Sequence, residues 1–118
     1  QKPKWVEKMN KKLDLILKRH ATEEMLNLYN RGELFINQQQ LACIIGKQTR
    51  TAIRHLHKFN EKVKEGYYPK ESFINPDKKN YIVWIKPLMH FYLFKHYYNT
   101  KNEKNIPKFT KDFFDGVM

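Results

Sequence analysis

The sequence predicts a mostly α-helical chain with a small β-hairpin, and three observations lead there. Apolar residues recur at spacings of three and four, the helical period, in successive stretches. Glycine or proline punctuates the boundaries between those stretches. Late in the chain, two β-favouring runs flank the turn-rich segment NPDKKN. A length of 118 residues suits one domain with an appendage, since a chain of this size buries a modest core but not two.

From Trp5 to His20, the residues Val6, Met9, Leu13 and Ile16 form an apolar stripe, with Lys8, Lys11, Lys12 and Lys18 set around it. That is an amphipathic helix. The stripe has heptad spacing but lasts only about two heptads, fewer than the three or four that secure a coiled coil. It suits either pairing with a second copy, a homodimer, or packing on its own domain. A second short helix is expected to start at Thr22, as N-cap with Glu23 and Glu24 in its first turn, and to stop at Gly32. Residues 1–32 thus read as an N-terminal helical arm. The chain begins with Gln1 rather than methionine, so native residues are expected to precede it.

Leu34, Phe35 and Ile36 suit a short strand, after which Asn37 caps a helix through about Ile45. Leu41, Ile44 and Ile45 form its inward face, and Gln38, Gln39 and Gln40 are expected to face outward. Gly46 ends it. The next helix begins at Gln48 or Thr49 and runs to about Val63, with Ala52, Ile53, Leu56 and Phe59 inward. Its other face carries Arg50, Thr51, Arg54 and Lys58. Gly66 to Pro69 break the pattern, and Phe73–Ile74 with Tyr81–Ile85 make the hairpin. Pro87 suits the first position of a last helix, in which Leu88, Phe91, Phe94 and Tyr98 keep to one side as a core stripe. Residues 33–99 make up this main domain. Residues 100–118 form a polar, basic tail whose Phe113 and Phe114 can dock on the domain or on a protein partner.

A net charge of +11 exceeds what solubility needs and points to an anionic partner. Within the main domain, a helix, a tight glycine turn and a second helix with a polar, cationic start are the order of a helix-turn-helix. Ala42 lets the helices approach, Gly46 can take the left-handed turn conformation, and Ile45, Ile53 and Leu56 can fill the wedge. The second helix, about residues 48–59, can then lie in a DNA major groove. Gln48, Arg50, Thr51 and Arg54 would read base edges: Arg grips guanine through two hydrogen bonds, Gln does the same to adenine, and the Thr methyl touches thymine. Lys47 and Lys58 suit phosphates. The hairpin, about residues 73–85, would be a wing with Lys78 and Lys79 at its tip on the backbone or in the minor groove.

The order LFINQQQLACIIGKQTRTAIRHL, then GYYP, a hairpin and YIVWIKPLMHFYLF resembles the winged helix-turn-helix of phage and mobile-element regulators, the excisionase-like and MerR-like group. Ala42 and Gly46 match that group's alanine-x-x-x-glycine helix ending, and the likeness covers about residues 34–98 as a pattern. It implies a winged helix-turn-helix with an N-terminal helical arm, binding double-stranded DNA in transcription control or in directing recombination. Two features depart from the group: Lys47 and Gln48 precede Thr49, and the segment NEKVKEGYYPKES before the hairpin is long.

Catalysis is not expected. His55 and His57 diverge by about 200° around a helix, and His90 and His96 diverge similarly, so neither pair shares a metal ion. Cys43 stands where a small semi-buried residue is expected, and as the single cysteine it forms no intrachain disulfide. There is no phosphate-cradling glycine loop and no nucleophile elbow, and no cofactor is implied. No apolar run approaches the roughly 18 residues of a membrane span, so a soluble protein is expected. The single cysteine fits a reducing compartment, with the cytoplasm as the default. The rival reading is a small basic protein-binding inhibitor or adaptor that uses the winged fold as a scaffold, its partner held by the N-terminal helix or the C-terminal tail. RNA binding ranks third, because the aromatics fall at core spacing rather than on exposed stacking platforms.

Overall fold

A computed structural model describes residues 4–75 and 80–115, with side chains from Lys11 onward. Five helices, α1 (Lys4–Leu17), α2 (His20–Asn30), α3 (Gln38–Ile45), α4 (Thr49–Lys64) and α5 (Ile85–Asn99), are joined by a small antiparallel sheet. Its strands β1 (Phe35–Asn37), β2 (Phe73–Ile74) and β3 (Ile82–Trp84) lie in the order β1-β3-β2. Phe35 pairs with Trp84 on one edge of β3, and Phe73 with Val83 on the other. The hairpin thus gains a third strand, contributed by the segment just before α3. None of these helices is long and apolar enough to cross a membrane.

Two helix boundaries differ from expectation. α1 ends at Leu17, and Arg19, in extended conformation, rather than Thr22, caps α2. Thr22 lies in the first turn, fully buried, with its hydroxyl turned back to the carbonyls of Arg19 (3.1 Å) and Ile16. The extended Arg19 starts α2 early enough for Met25 and Leu26 to enter the same core as Ile16. In α5, Pro87 takes the third position rather than the first, where its missing N–H still costs no helical bond.

α5 is the hub, and its buried residues are not confined to one stripe. Met89, His90, Tyr92 and Leu93 are buried along with Leu88, Phe91, Phe94 and Tyr98. A helix apolar all round must be covered all round. On one side Phe59 of α4 meets Phe91 edge to face at 5.5 Å. Elsewhere the tail folds back, burying Phe109, Phe113 and Phe114. Lys12 of α1 fastens it, donating to the Phe113 carbonyl at 2.7 Å while its ammonium sits 4.3 Å from the Phe113 ring.

The buried polar groups under the tail form a chain of hydrogen bonds. His90 Nε2 donates to the Pro107 carbonyl at 2.9 Å, so Nδ1 accepts from Tyr68 Oη at 2.9 Å. Tyr98 Oη lies 3.0 Å from Tyr68 Oη. Burial, assisted by Lys12, lowers the His90 pKa from 6.5 to about 4 against the opposing Pro107 bond, and the ring is folded in neutral. Below pH 6.5 the unfolded chain takes up the proton first, so stability falls as pH drops from 6.5 toward 4. Urea melts at about pH 7 and pH 5 check this: the loss should shrink in His90→Gln, and an equal loss in that variant would remove His90 as the cause.

Candidate nucleic-acid interface

Local chemistry at both ends of α3 sets the angle at which α4 leaves it. Asn37 Oδ1 accepts from the Gln40 N–H at 2.8 Å, and Gln40 Oε1 accepts from the Asn37 N–H at 2.9 Å. This reciprocal capping box, signalled by the N-x-x-Q spacing, leaves Gln40 half-exposed at the helix start. Gln38, expected outward, is instead buried, and its Oε1 accepts from the Tyr81 N–H at 3.1 Å, tying α3 to the hairpin. Asn37→Ala is expected to cost about 1 kcal/mol of stability, read as a lower urea midpoint; an unchanged midpoint would show that the box contributes nothing.

At the other end Gly46 takes φ 65° and ψ 35°. Gly46 N donates to Cys43 O and Lys47 N to Ala42 O, the paired bonds of a Schellman turn. Ala42, Ala52 and Leu56 are buried in the angle between the helices, while Ile45 and Ile53 are half-buried at its rim. Cys43, expected semi-buried, is exposed, beside Leu28 and Ile44 in a shallow groove. Leu41 and Ile44 already fill the inward side of α3, which leaves Cys43 facing out.

α4 divides cleanly. Ala52, Leu56, Phe59 and Val63 face the core, and Arg50, Arg54, His57, Lys58 and Glu61 are exposed on the opposite side. Thr51 is half-buried at the margin, and its Oγ1 accepts from Arg54 Nη2 at 3.2 Å. Gln48, the N-cap, is exposed and makes no side-chain capping bond; Lys47 is exposed in the turn before it. Arg50, Arg54 and Lys58 thus share one solvent face of α4, and Lys47 is exposed in the turn before it. Among the described residues, the one ion pair is Lys62–Glu65 at 3.0 Å, at the C-terminal end of the helix.

The hairpin flanks α4. Tyr81 Oη lies 3.2 Å from His57 Nε2, and the two rings meet edge to face at 5.5 Å. Neither this contact nor the one to Gln38 was visible in the spacing, because both join segments far apart in the chain. The hairpin-tip residues Lys78 and Lys79 lie outside the described residues.

The stripe assigned to pairing is divided. Ile16 is fully buried in the core of its own chain, and Leu13 packs partly against that core. Val6 and Met9 fall where side chains are not described. Among the described side chains of α1, Leu15 and Leu17 are exposed. Phe113 and Phe114 take the first of the two fates open to them, docking on their own domain.

No protein family, curated protein or solved structure matches the chain. The cationic face of α4 beside the hairpin is therefore the basis for a functional reading.

Proposed function

We propose that this chain is a winged helix-turn-helix protein that binds double-stranded DNA sequence-specifically and without catalysis. The observation that carries the reading is the outward face of α4, where Arg50, Arg54 and Lys58 stand exposed with no carboxylate paired to them among the described residues. The order β1, α3, α4, β2, β3, with the hairpin at the side of α4, supports the winged form. α4 enters the major groove by its N-terminal turns. Gln48, Arg50, Thr51 and Arg54 read base edges, and Lys47 and Lys58 hold phosphates. Glu61, farther along the same face, would repel phosphates, which favours the N-terminal end as the reading end. The biological role is that of a regulator of transcription or of recombination direction, as in the phage and mobile-element group that the sequence resembles.

Fluorescence anisotropy with a labelled duplex tests binding itself. Affinity should fall roughly a thousandfold as salt rises from 50 to 200 mM, the behaviour of a protein with about six phosphate contacts. Absence of binding at the lower salt would end the reading. If two copies pair through α1, the target holds two half-sites with centres about one helical turn apart or a multiple of it.

A second reading has its own observation. On the sheet side, Leu34, Phe35 and Ile74 are 49%, 44% and 40% exposed and lie together with Trp84. Such a patch suits a protein partner, so the inhibitor or adaptor reading would work through this face rather than through the buried tail.

A further inference from the structure

The flank of α4 away from the hairpin gathers positive charge from three elements. His55 is half-buried there, with Nδ1 2.8 Å from Tyr92 Oη of α5. The Lys95 ammonium, also on α5, lies 3.5 Å and 3.4 Å from the two ring nitrogens. Arg19, at the start of α2, donates to the Tyr92 carbonyl at 2.5 Å, which anchors its guanidinium beside the same turn. Lys58 and Arg54 complete the group from α4 itself.

The charges that act on His55 and Lys95 are all of one sign. Burial, then Lys95, Lys58 and Arg54, lower the His55 pKa from 6.5 to about 4. Burial, then Lys58 and Arg19, lower that of Lys95. Among the described residues no carboxylate pairs with any of these cations. Lys95, Lys58, Arg54 and Arg19 repel one another around a neutral His55 ring, and an anion seated among them would relieve the repulsion.

We propose that Arg19, Lys58, Lys95 and His55 form a phosphate site for the DNA backbone, on the side of α4 opposite the hairpin. The proposal rests on the duplex-binding reading and deepens it. A helix in the major groove has a sugar-phosphate backbone on each side, about 12 Å apart. The hairpin faces one strand, and the seam of α4, α5 and α2 faces the other. Lys58 is common to both the groove face and the seam. Arg19, His55 and Lys95 are the additions, and they extend the footprint across a second strand.

A seated phosphate also changes the protonation of His55. Its negative charge offsets Lys95, Lys58 and Arg54, so the ring binds a proton more readily in the complex than in the free protein.

Two measurements on the intact protein test the site. The first compares the slope of log affinity against log salt for the wild type and Lys95→Met, with thermal melting to confirm that the variant folds. Loss of one phosphate contact should flatten the slope by about 0.9 on every duplex sequence. The second follows the His55 imidazole resonance through a pH titration of the wild type, alone and with saturating duplex, and needs no variant. Its midpoint should rise by about one unit or more in the complex. An unmoved His55 midpoint, with duplex bound and weakened by Arg50→Ala, would overturn the seam site and leave the groove reading standing. If the wild type binds no duplex at all, both fall together.

Discussion

Replacing Arg50 and Arg54 together with alanine should remove sequence-specific duplex binding while the protein stays folded. If each side chain grips a guanine edge through two hydrogen bonds, it discriminates by about 1–3 kcal/mol, so losing both should lower specific affinity by roughly thirtyfold or more. The fold should not notice. Both residues are exposed, the only side-chain hydrogen bond at stake among the described residues is the surface contact from Arg54 to Thr51, and alanine is the better helix former. Binding to unrelated duplexes should fall less, because there the two arginines act only as charges. Anisotropy on a preferred and a scrambled duplex, with urea melts alongside, separates these effects. Equal losses on both duplexes would make the arginines mere phosphate contacts.

The second large effect concerns the end of the chain. Phe114 is fully buried, its ring meets Phe113 edge to face at 4.9 Å, and Phe113 in turn meets His90 at 4.8 Å. Phe114→Ala is therefore expected to cost about 3–5 kcal/mol, the range for emptying a buried aromatic site. Against a usual total of about 5–15 kcal/mol, that is a large share of the stability. The measurement is a urea melt, and the slope should hold while the midpoint falls. A loss below about 1 kcal/mol would mean that the tail does not belong to the core, and that Phe113 and Phe114 are free to meet a partner.

The residues that made α3, its glycine turn and α4 legible all act locally. Gly46 at a left-handed turn, Asn37 as a cap, and Ala52, Leu56, Phe59 and Val63 on one face of α4 follow from rules spanning a few positions. Because the inward face is so regular, the exposed positions of Arg50, Arg54 and Lys58 follow from it. What escaped depends on distant segments. Gln38 looked like a surface residue because its acceptor role is set by the Tyr81 N–H on a strand of the hairpin. Thr22 looked like a cap because the side chain suits one, but the backbone takes its extended step at Arg19. α5 showed one apolar stripe because His90 and Tyr92 count as polar until partners are known; those partners are Pro107 and Tyr68 for His90, and His55 for Tyr92. The tail's docking surface, and the charged seam built from α2, α4 and α5, exist only once the helices are assembled.

The most direct test of duplex recognition by α4 is selection from a random-sequence duplex pool at low and higher salt, followed by sequencing of what the protein retains. Enrichment of one short motif, surviving the higher salt and lost in Arg50→Ala, is the expected result. Weak retention that disappears at the higher salt with no enriched motif would contradict it, leaving the basic charge a general attraction for polyanions and the exposed sheet patch of Leu34, Phe35, Ile74 and Trp84 the better guide to a partner.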